Sequence, residues 1–137
     1  MGELVKLPTS VQQIAHLGTE HDGHSCRSAE LILRAGHTIS MTGHGPSMIP
    51  IIPDGTRMVI GPWEKGRRPK KYDVLFCRVD GGYTTHLCWW LFRRKFTMID
   101  TAGNVLGNIP FKNILGEYLG AWDKDEREII PYRGNQP

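Results

Sequence analysis

After Gly36 the pattern of polar and apolar residues changes to a period of two, and short β-rich runs bounded by turn residues follow, which predicts short β-strands. Residues 37–42 begin the pattern and place Ile39 and Met41 on one face. The strongest signal is a hairpin, because two β-rich runs are joined by Asp-Gly-Gly at residues 80–82. The runs of this hairpin are residues 73–79 and 83–92, and the other strand candidates are 56–60, 94–100, 113–121 and 128–132.

Before Gly36 the pattern is typical of helices. Residues 10–17 predict a short helix that begins at Ser10 and ends at Gly18. A second helix, with Ser25 or Ser28 as its cap, continues through apolar residues to Gly36. The elements together predict a mainly β fold, with bent, partly barrel-like antiparallel sheets and one or two short N-terminal helices.

The composition suits one small soluble domain. Of the 137 residues, 39% are hydrophobic and 23% are charged, which is enough for a packed core. The most apolar window, residues 84–92, is about half as long as a membrane-spanning helix. Residues 1–6 do not resemble a secretory signal. We therefore expect a cytoplasmic protein, or one incorporated into a cytoplasm-assembled complex such as a virion.

Charge and cysteine content add little to this interpretation. The net charge is +3, and the clearest basic run lies at residues 65–71 between glycines and prolines. We interpret the run as a solvated loop between strands, so nucleic acid is an unlikely partner. The odd number of cysteines argues against a disulfide scaffold. Cys77 and Cys88 lie in strand-like runs and are predicted to be small buried residues.

One segment has the composition of a catalytic turn. Residues 43–50 read Gly-His-Gly-Pro-Ser-Met-Ile-Pro, which holds Ser47 on a backbone shaped by glycine and proline. A serine hydroxyl is a weak nucleophile and needs a general base within hydrogen-bonding distance. Taken alone, the segment favours a surface turn over a catalytic site.

The segment belongs to an ordered succession that resembles the peptidase superfamily of type I signal peptidases and self-cleaving SOS-type repressors. A helix ending at Gly36 is followed by a strand, the Gly-x-Ser-Met-x-Pro motif, an Asp-Gly turn, further strands and a hairpin. The resemblance covers roughly residues 28–121. The matching stretches are residues 29–36, 39–50, 54–60, 72–76, 82–86, 96–104 and 114–120.

The resemblance implies a serine endopeptidase of the histidine type. Ser47 corresponds to the nucleophile, and His86, 39 residues later, corresponds to the general base. We expect the Ser47 hydroxyl to lie near a ring nitrogen of His86 in an open cleft. The backbone N–H of Ser47 is the natural oxyanion donor, and Gly45, Met48 and Pro50 are candidate substrate-binding residues. The implied substrate is an extended peptide or protein, and no cofactor or metal is implied.

Three positions depart from the family pattern. The expected third carboxylate aligns with Gly103, so it is missing or displaced to Asp100. Leu87 replaces the arginine after the histidine, and Tyr72 replaces the glycine before the aspartate of a Gly-Asp strand. These departures keep a second hypothesis open, in which a catalytically silent peptidase-like fold serves as a structural or interaction module in a large assembly such as a phage particle. A repressor-like DNA-binding protein is disfavoured, because about 28 residues are too few for a helix-turn-helix domain.

Two further groups carry weaker hypotheses. His16, His21, His24 and Cys26 have ligand types that suit zinc, but their spacing matches no standard zinc module, so a polar connector is the preferred interpretation. Trp89 and Trp90 are adjacent in a strand and are predicted to face opposite ways, one buried and one exposed as a partner contact.

The sequence divides into three parts. Residues 1–27 are predicted to form an N-terminal extension, residues 28–121 the signal-peptidase-like β domain, and residues 122–137 a C-terminal strand and tail. The two ends are better suited to docking on partner proteins than to forming a second domain.

Overall fold

The structure, a computed structural model, describes residues 14–20, 22–43, 45, 47–123, 125 and 127–132. These residues form one α-helix, a 3-10 helix at Phe111–Asn113, and nine strands. In chain order the elements are β1 (Ala15–Thr19), α1 (Gly23–Arg34), β2 (Ile39–Thr42), β3 (Arg57–Pro62), β4 (Val74–Val79), β5 (Gly82–Phe92), β6 (Lys95–Ile99), β7 (Val105–Pro110), β8 (Ile114–Trp122) and β9 (Ile129–Pro131).

The described strands form one mixed sheet that does not close into a barrel. Its order is β1-β2-β3-β8-β4-β5-β6-β7, and β9 pairs with β8 off this path. Strands β1 and β2 run parallel, and the other pairs are antiparallel. The mainly β class predicted from the sequence is confirmed, with a sheet that is open and mixed.

The sheet bends so that both of its faces are covered. All nine residues of β8 are buried. In β4, Val74 and Phe76 belong to a core cluster with α1, whereas Leu75 and Cys77 belong to a second cluster with β6 and β7. Alternate residues of one strand therefore pack into different cores, as the pleat requires.

The helix α1 begins earlier than the sequence indicated. Asp22 is its N-cap, and the Asp22 carboxylate accepts hydrogen bonds from the His24 N–H and the Ser25 hydroxyl. The prediction of Ser25 or Ser28 as the cap is wrong, because the aspartate two residues before His24 satisfies the first free N–H. Gly36 follows the helix with a φ of 92°, as a C-terminal glycine should.

Residues 10–17, predicted as a helix, lie only partly within the described chain. Residues 15–17 belong to β1, where Ala15 and His16 pair with Ile39 and Ser40 of β2. Ala15 and Leu17 flank the polar His16, which fits a strand as well as a helix, and pairing with β2 decides between the two. Strand β7 was not predicted, because residues 101–108 are rich in turn residues.

The buried thiols agree with the prediction for the cysteines. Cys77 and Cys88 are fully buried, and burial raises the pKa of the Cys88 thiol to about 12. The pKa of Cys26 is raised by burial to about 11. These thiols are therefore protonated and unreactive at neutral pH.

The prediction that one of the two adjacent tryptophans is buried is wrong. Trp89 is 37% exposed and Trp90 is 63% exposed. The β5–β6 pairing shifts between Cys88 and Trp90, so the simple alternation of faces is broken at a bulge. Beyond the bulge, β5 runs to Phe92, which is also exposed.

Candidate active site

The structure brings Ser47 and His86 together. Ser47 lies in the turn segment between β2 and β3, and His86 lies on β5. The distance from Ser47 Oγ to His86 Nε2 is 2.9 Å, which is a normal hydrogen bond. Ser47 is exposed and His86 is half-buried, so the hydroxyl is open to a substrate while the ring is supported by the protein. This is the geometry that a nucleophile and its general base need.

The turn that holds Ser47 is anchored by two buried side chains and by Thr101. The side chains of Met48 and Ile52 are buried in the cluster with α1, and the Ile52 N–H donates to the Met48 carbonyl. Thr101 holds the same turn through two hydrogen bonds. Its backbone N–H donates to the carbonyl of Ser47, and its hydroxyl donates to the carbonyl of Ile49 at 2.7 Å. Two buried side chains and one threonine thereby fix the position of Ser47.

The glycines before Ser47 let the chain turn sharply. Gly45 has a φ of 102°, and its N–H donates to the Asp54 carboxylate at 2.9 Å. Gly43 pairs with the next loop, because its carbonyl accepts from the Gly55 N–H. The Gly45 N–H is therefore already used inside the protein. Gly45 contributes the shape of the turn, and the assignment of the Ser47 N–H as oxyanion donor stays a prediction.

Thr84 contacts the other nitrogen of the histidine ring. Its Oγ1 lies 2.7 Å from His86 Nδ1. When Nε2 accepts from Ser47, Nδ1 carries the ring hydrogen and donates it to Thr84. The sequence analysis did not identify Thr84. The sequence nevertheless contains a signal for Thr84. Residues two positions apart on a strand share a face, and Thr84 is two positions before His86.

Asp100 lies close enough to influence His86 by charge. Its carboxylate accepts hydrogen bonds from the N–H groups of Ala102 and Asn104 and from the Asn104 side chain. These bonds hold the pKa of Asp100 below its usual range, led by the Asn104 side-chain bond. The bonding position at His86 Nδ1 is filled by Thr84. Asp100 is thus placed to act as a through-space charge, and not as the ring's hydrogen-bond acceptor.

Burial lowers the pKa of His86 below its usual range, and the negative charge of Asp100 partly opposes this effect. The imidazole is therefore neutral at pH 7. A neutral ring can accept the serine proton, which is the state that a general base requires.

A cleft of about 160 Å³ opens beside Ser47. It is lined by Glu20, by the largely buried side chains of Met48, Ile52 and Met58, and by residues 83–86 of β5, so its exposed lining is more polar than apolar. Gly45 and Met48, both predicted to bind substrate, line the cleft. Pro50 is exposed and does not line it.

The wall formed by β5 carries a sheet edge. Residues 82–87 pair with β4, whereas pairing with β6 begins at Leu87. Within the described sheet, the outward backbone groups of residues 82–86 have no neighbouring strand. Such an edge can accept an extended peptide as an additional strand.

Each of the three positions at which the sequence differs from the pattern it resembles has a local structural role. Leu87 is buried in the cluster with α1, where an arginine would be costly. Gly103 has a φ of 89° in the turn after β6, and Tyr72 takes a φ of 75°, a conformation that favours glycine.

The histidine-rich segment does not assemble a metal site among the described residues. His16 Nδ1 contacts the Ser40 hydroxyl, and the Cys26 thiol donates to the Glu20 carbonyl. His21 lies outside the described residues.

Comparison of the chain with protein-family models, curated proteins and solved structures finds no match in any of the three. Within the described residues, no helix is both long enough and apolar enough to cross a lipid bilayer.

Proposed function

We propose that the protein is a serine endopeptidase in which Ser47 is the nucleophile and His86 the general base. The observation that carries the proposal is the 2.9 Å contact between Ser47 Oγ and His86 Nε2 at an open cleft. Thr84 orients the ring through Nδ1, and Asp100 stabilises the charged ring from a distance. The neutral imidazole supported by burial fits this role.

The reaction follows from these positions. Ser47 Oγ attacks the carbonyl carbon of the scissile peptide bond while its proton passes to His86 Nε2. The C–N bond then breaks, and the imidazolium returns the proton to the leaving amine. Water, activated by the neutral His86, hydrolyses the resulting ester and restores Ser47.

The cleft favours an extended peptide as the substrate. The peptide would pair with the β5 edge at residues 82–86 and run past Ser47. The cleft is small, so it suits one side chain of modest size next to the scissile bond. We place this activity in the cytoplasm or in a cytoplasm-assembled particle, where it processes a partner protein.

The test is labelling of the full chain by a serine-reactive fluorophosphonate probe. We expect labelling of the wild type and its loss in Ser47→Ala and His86→Ala. Ser28→Ala, which changes a serine on α1, is the matched control and should label normally. Labelling that persists in Ser47→Ala would contradict the site assignment.

A second function is favoured by one observation. His86 Nδ1 contacts a neutral threonine hydroxyl, which stabilises an imidazolium less than a bonded carboxylate does. The alternative is a catalytically silent module that binds partners in a large assembly such as a phage particle. The ends proposed to dock on such partners are residues 1–24 and 132–137. Of these, residues 15–19 form β1, which pairs with β2, and α1 begins at Gly23, so this part is packed within the fold, whereas residues 1–13 and 133–137 lie outside the described residues. A folded wild type that never labels, at any pH from 5 to about 9, would favour this alternative.

A further inference from the structure

A second concave surface lies away from Ser47. It is a groove of about 2160 Å³ between the loop after β3, the turn joining β5 to β6, and the 3-10 helix. It shares no lining residue with the cleft beside Ser47. It is open to solvent and is lined by residues from several separate segments of the chain, an arrangement that can accommodate an extended ligand.

The groove is strongly basic. Eight of its lining residues are lysine or arginine and only one, Glu64, is acidic. Arg67 is paired with Glu117 and Arg34 with Glu30, which reduces the contribution of these two. The remaining cations come from three separate segments: Lys65, Arg68, Arg93, Arg94, Lys95 and Lys112. These segments bring six cations to one surface, although the net charge of the chain is only +3.

Aromatic rings alternate with the cations. The guanidinium of Arg67 lies 4.2 Å from the centre of the Trp63 ring, and that of Arg93 lies 5.3 Å from the centre of the Phe92 ring. Trp90 and Phe92 are 63% and 65% exposed. Large exposed rings that line a basic groove form stacking platforms beside phosphate-binding groups.

We propose that this groove binds single-stranded nucleic acid. Phosphates would contact the cations of the hairpin turn and the loop after β3, and unstacked bases would stack on Trp90 and Phe92. A duplex offers no free base faces to these rings, and an acidic peptide offers neither phosphates nor bases. A planar bilayer does not follow a concave surface.

The run at residues 65–71, taken alone, led to the expectation that nucleic acid is an unlikely partner. That run supplies only part of the basic surface. The turn between β5 and β6 supplies Arg93, Arg94 and Lys95, and the 3-10 helix supplies Lys112. These segments are distant in sequence, and the sheet brings them together.

The test is fluorescence anisotropy with labelled oligothymidylate of about 16 nucleotides, the upper end of known site sizes for single-strand binding folds. We expect saturable binding by the full chain. If about four phosphates are contacted, affinity should fall about fiftyfold between 50 and 200 mM salt. Absence of binding at 50 mM salt would overturn the proposal.

Neighbouring residues provide matched variants. Trp90→Ala should weaken binding about fivefold to a hundredfold through lost base stacking. Trp89→Ala is the control, because Trp89 contacts Tyr72 and Lys71 and does not line the groove. Lys95→Ala should weaken binding and reduce the salt dependence, whereas Lys71→Ala, outside the groove, should not. Equal effects of Trp89→Ala and Trp90→Ala would overturn the assignment to this groove.

Three other ligands test whether the groove instead prefers an acidic peptide, a duplex or a lipid surface. Polyglutamate of matched charge should bind more weakly, and its binding should not respond to Trp90→Ala. Duplex DNA should bind more weakly than the single strand. Phosphatidylserine vesicles should not compete with the oligonucleotide. Stronger binding of any of these three would overturn the proposal in favour of that class of ligand.

Discussion

The hydroxyl of Thr84 holds the ring of His86, and its removal tests the proposed catalytic arrangement. Thr84→Val keeps the shape of the side chain and removes the partner of Nδ1, so the ring loses its preferred tautomer and orientation. General bases contribute about a hundredfold to ten-thousandfold, and we expect Thr84→Val to slow probe labelling of Ser47 about tenfold to a hundredfold. The labelling rate is the measurement. An unchanged rate would contradict a positioning role for Thr84.

The adjacent Thr85 carries a prediction for the stability of the fold. It is buried, and its Oγ1 has no hydrogen-bond partner in the described structure. A buried hydroxyl without a partner costs about 1–3 kcal/mol, so Thr85→Val should raise the free energy of unfolding by about 1 kcal/mol. Urea denaturation measures this change. A loss of stability would show that the hydroxyl is satisfied in solution.

The lowered pKa of His86 predicts the pH dependence of labelling. The ring must be neutral to accept the serine proton, so the rate should rise with pH through a midpoint below the ordinary value of 6.5. Since the charge of Asp100 raises the pKa of His86, Asp100→Asn should move the midpoint to still lower pH. Asp123→Asn is the control and should leave the midpoint unchanged. The Asp123 carboxylate likewise accepts a hydrogen bond, from the Arg127 N–H. A midpoint that moves upward in Asp100→Asn would contradict the electrostatic role.

The same shift has a consequence for stability. The unfolded chain takes up a proton at His86 near pH 6.5, whereas the folded chain takes it up at a lower pH. Between these two values the unfolded state binds more protons, so His86 destabilises the fold progressively as the pH falls from about 6.5.

At the scale of elements, the close approach of β8 and β3 depends on glycine. A Cβ added at Gly116 would lie 2.6 Å from the Gly61 carbonyl oxygen and 2.7 Å from Ile60 Cγ2. Backbone cannot move aside cheaply, so Gly116→Ala should lower the free energy of unfolding by about 1–3 kcal/mol. Gly82→Ala is the control, because nothing lies within 4 Å of its added Cβ. Equal effects of the two substitutions on the urea midpoint would show that the strands are not this close.

Local sequence signals predicted the elements that depend on local interactions. The β4–β5 hairpin follows from its Asp-Gly-Gly turn, and the end of α1 follows from Gly36. Strand β7 was missed because its residues look like a turn and become a strand only by pairing with β6. The parallel pairing of β1 was missed for the same reason, since its partner β2 comes after α1.

For the candidate site, the resemblance identified the two residues that the structure brings into contact, Ser47 and His86. The sequence alone did not identify Thr84, because a threonine in a strand is common and its role appears only with the ring beside it. Asp100 was a candidate for the third catalytic residue. Its carboxylate accepts hydrogen bonds from the N–H groups of Ala102 and Asn104 in the turn that follows it. The hydrogen-bond partners of His86 and Asp100 depend on distances in the folded chain, which cannot be read from the order of the residues.

At the scale of the whole molecule, the two central strands join the core clusters. Strand β4 contributes Val74 and Phe76 to the cluster with α1 and Leu75 and Cys77 to the cluster with β6 and β7. Strand β8 contributes residues to both of these and to a third cluster around Leu119 and Trp122. Loss of either large cluster would therefore expose one face of β4, and the described chain should unfold as one unit.

Two matched core substitutions test this cooperativity. Met41 is fully buried in the cluster with α1, and Met98 is fully buried in the cluster with β6 and β7. Each substitution by alanine should lower the free energy of unfolding by about 2–5 kcal/mol. In both variants, tryptophan fluorescence and far-ultraviolet circular dichroism should follow one coincident urea transition, because neither cluster survives without β4 and β8. If Met98→Ala moved the fluorescence transition and left the circular dichroism transition in place, the region around β6 and β7 would unfold separately, and the basic groove could open without disturbing Ser47.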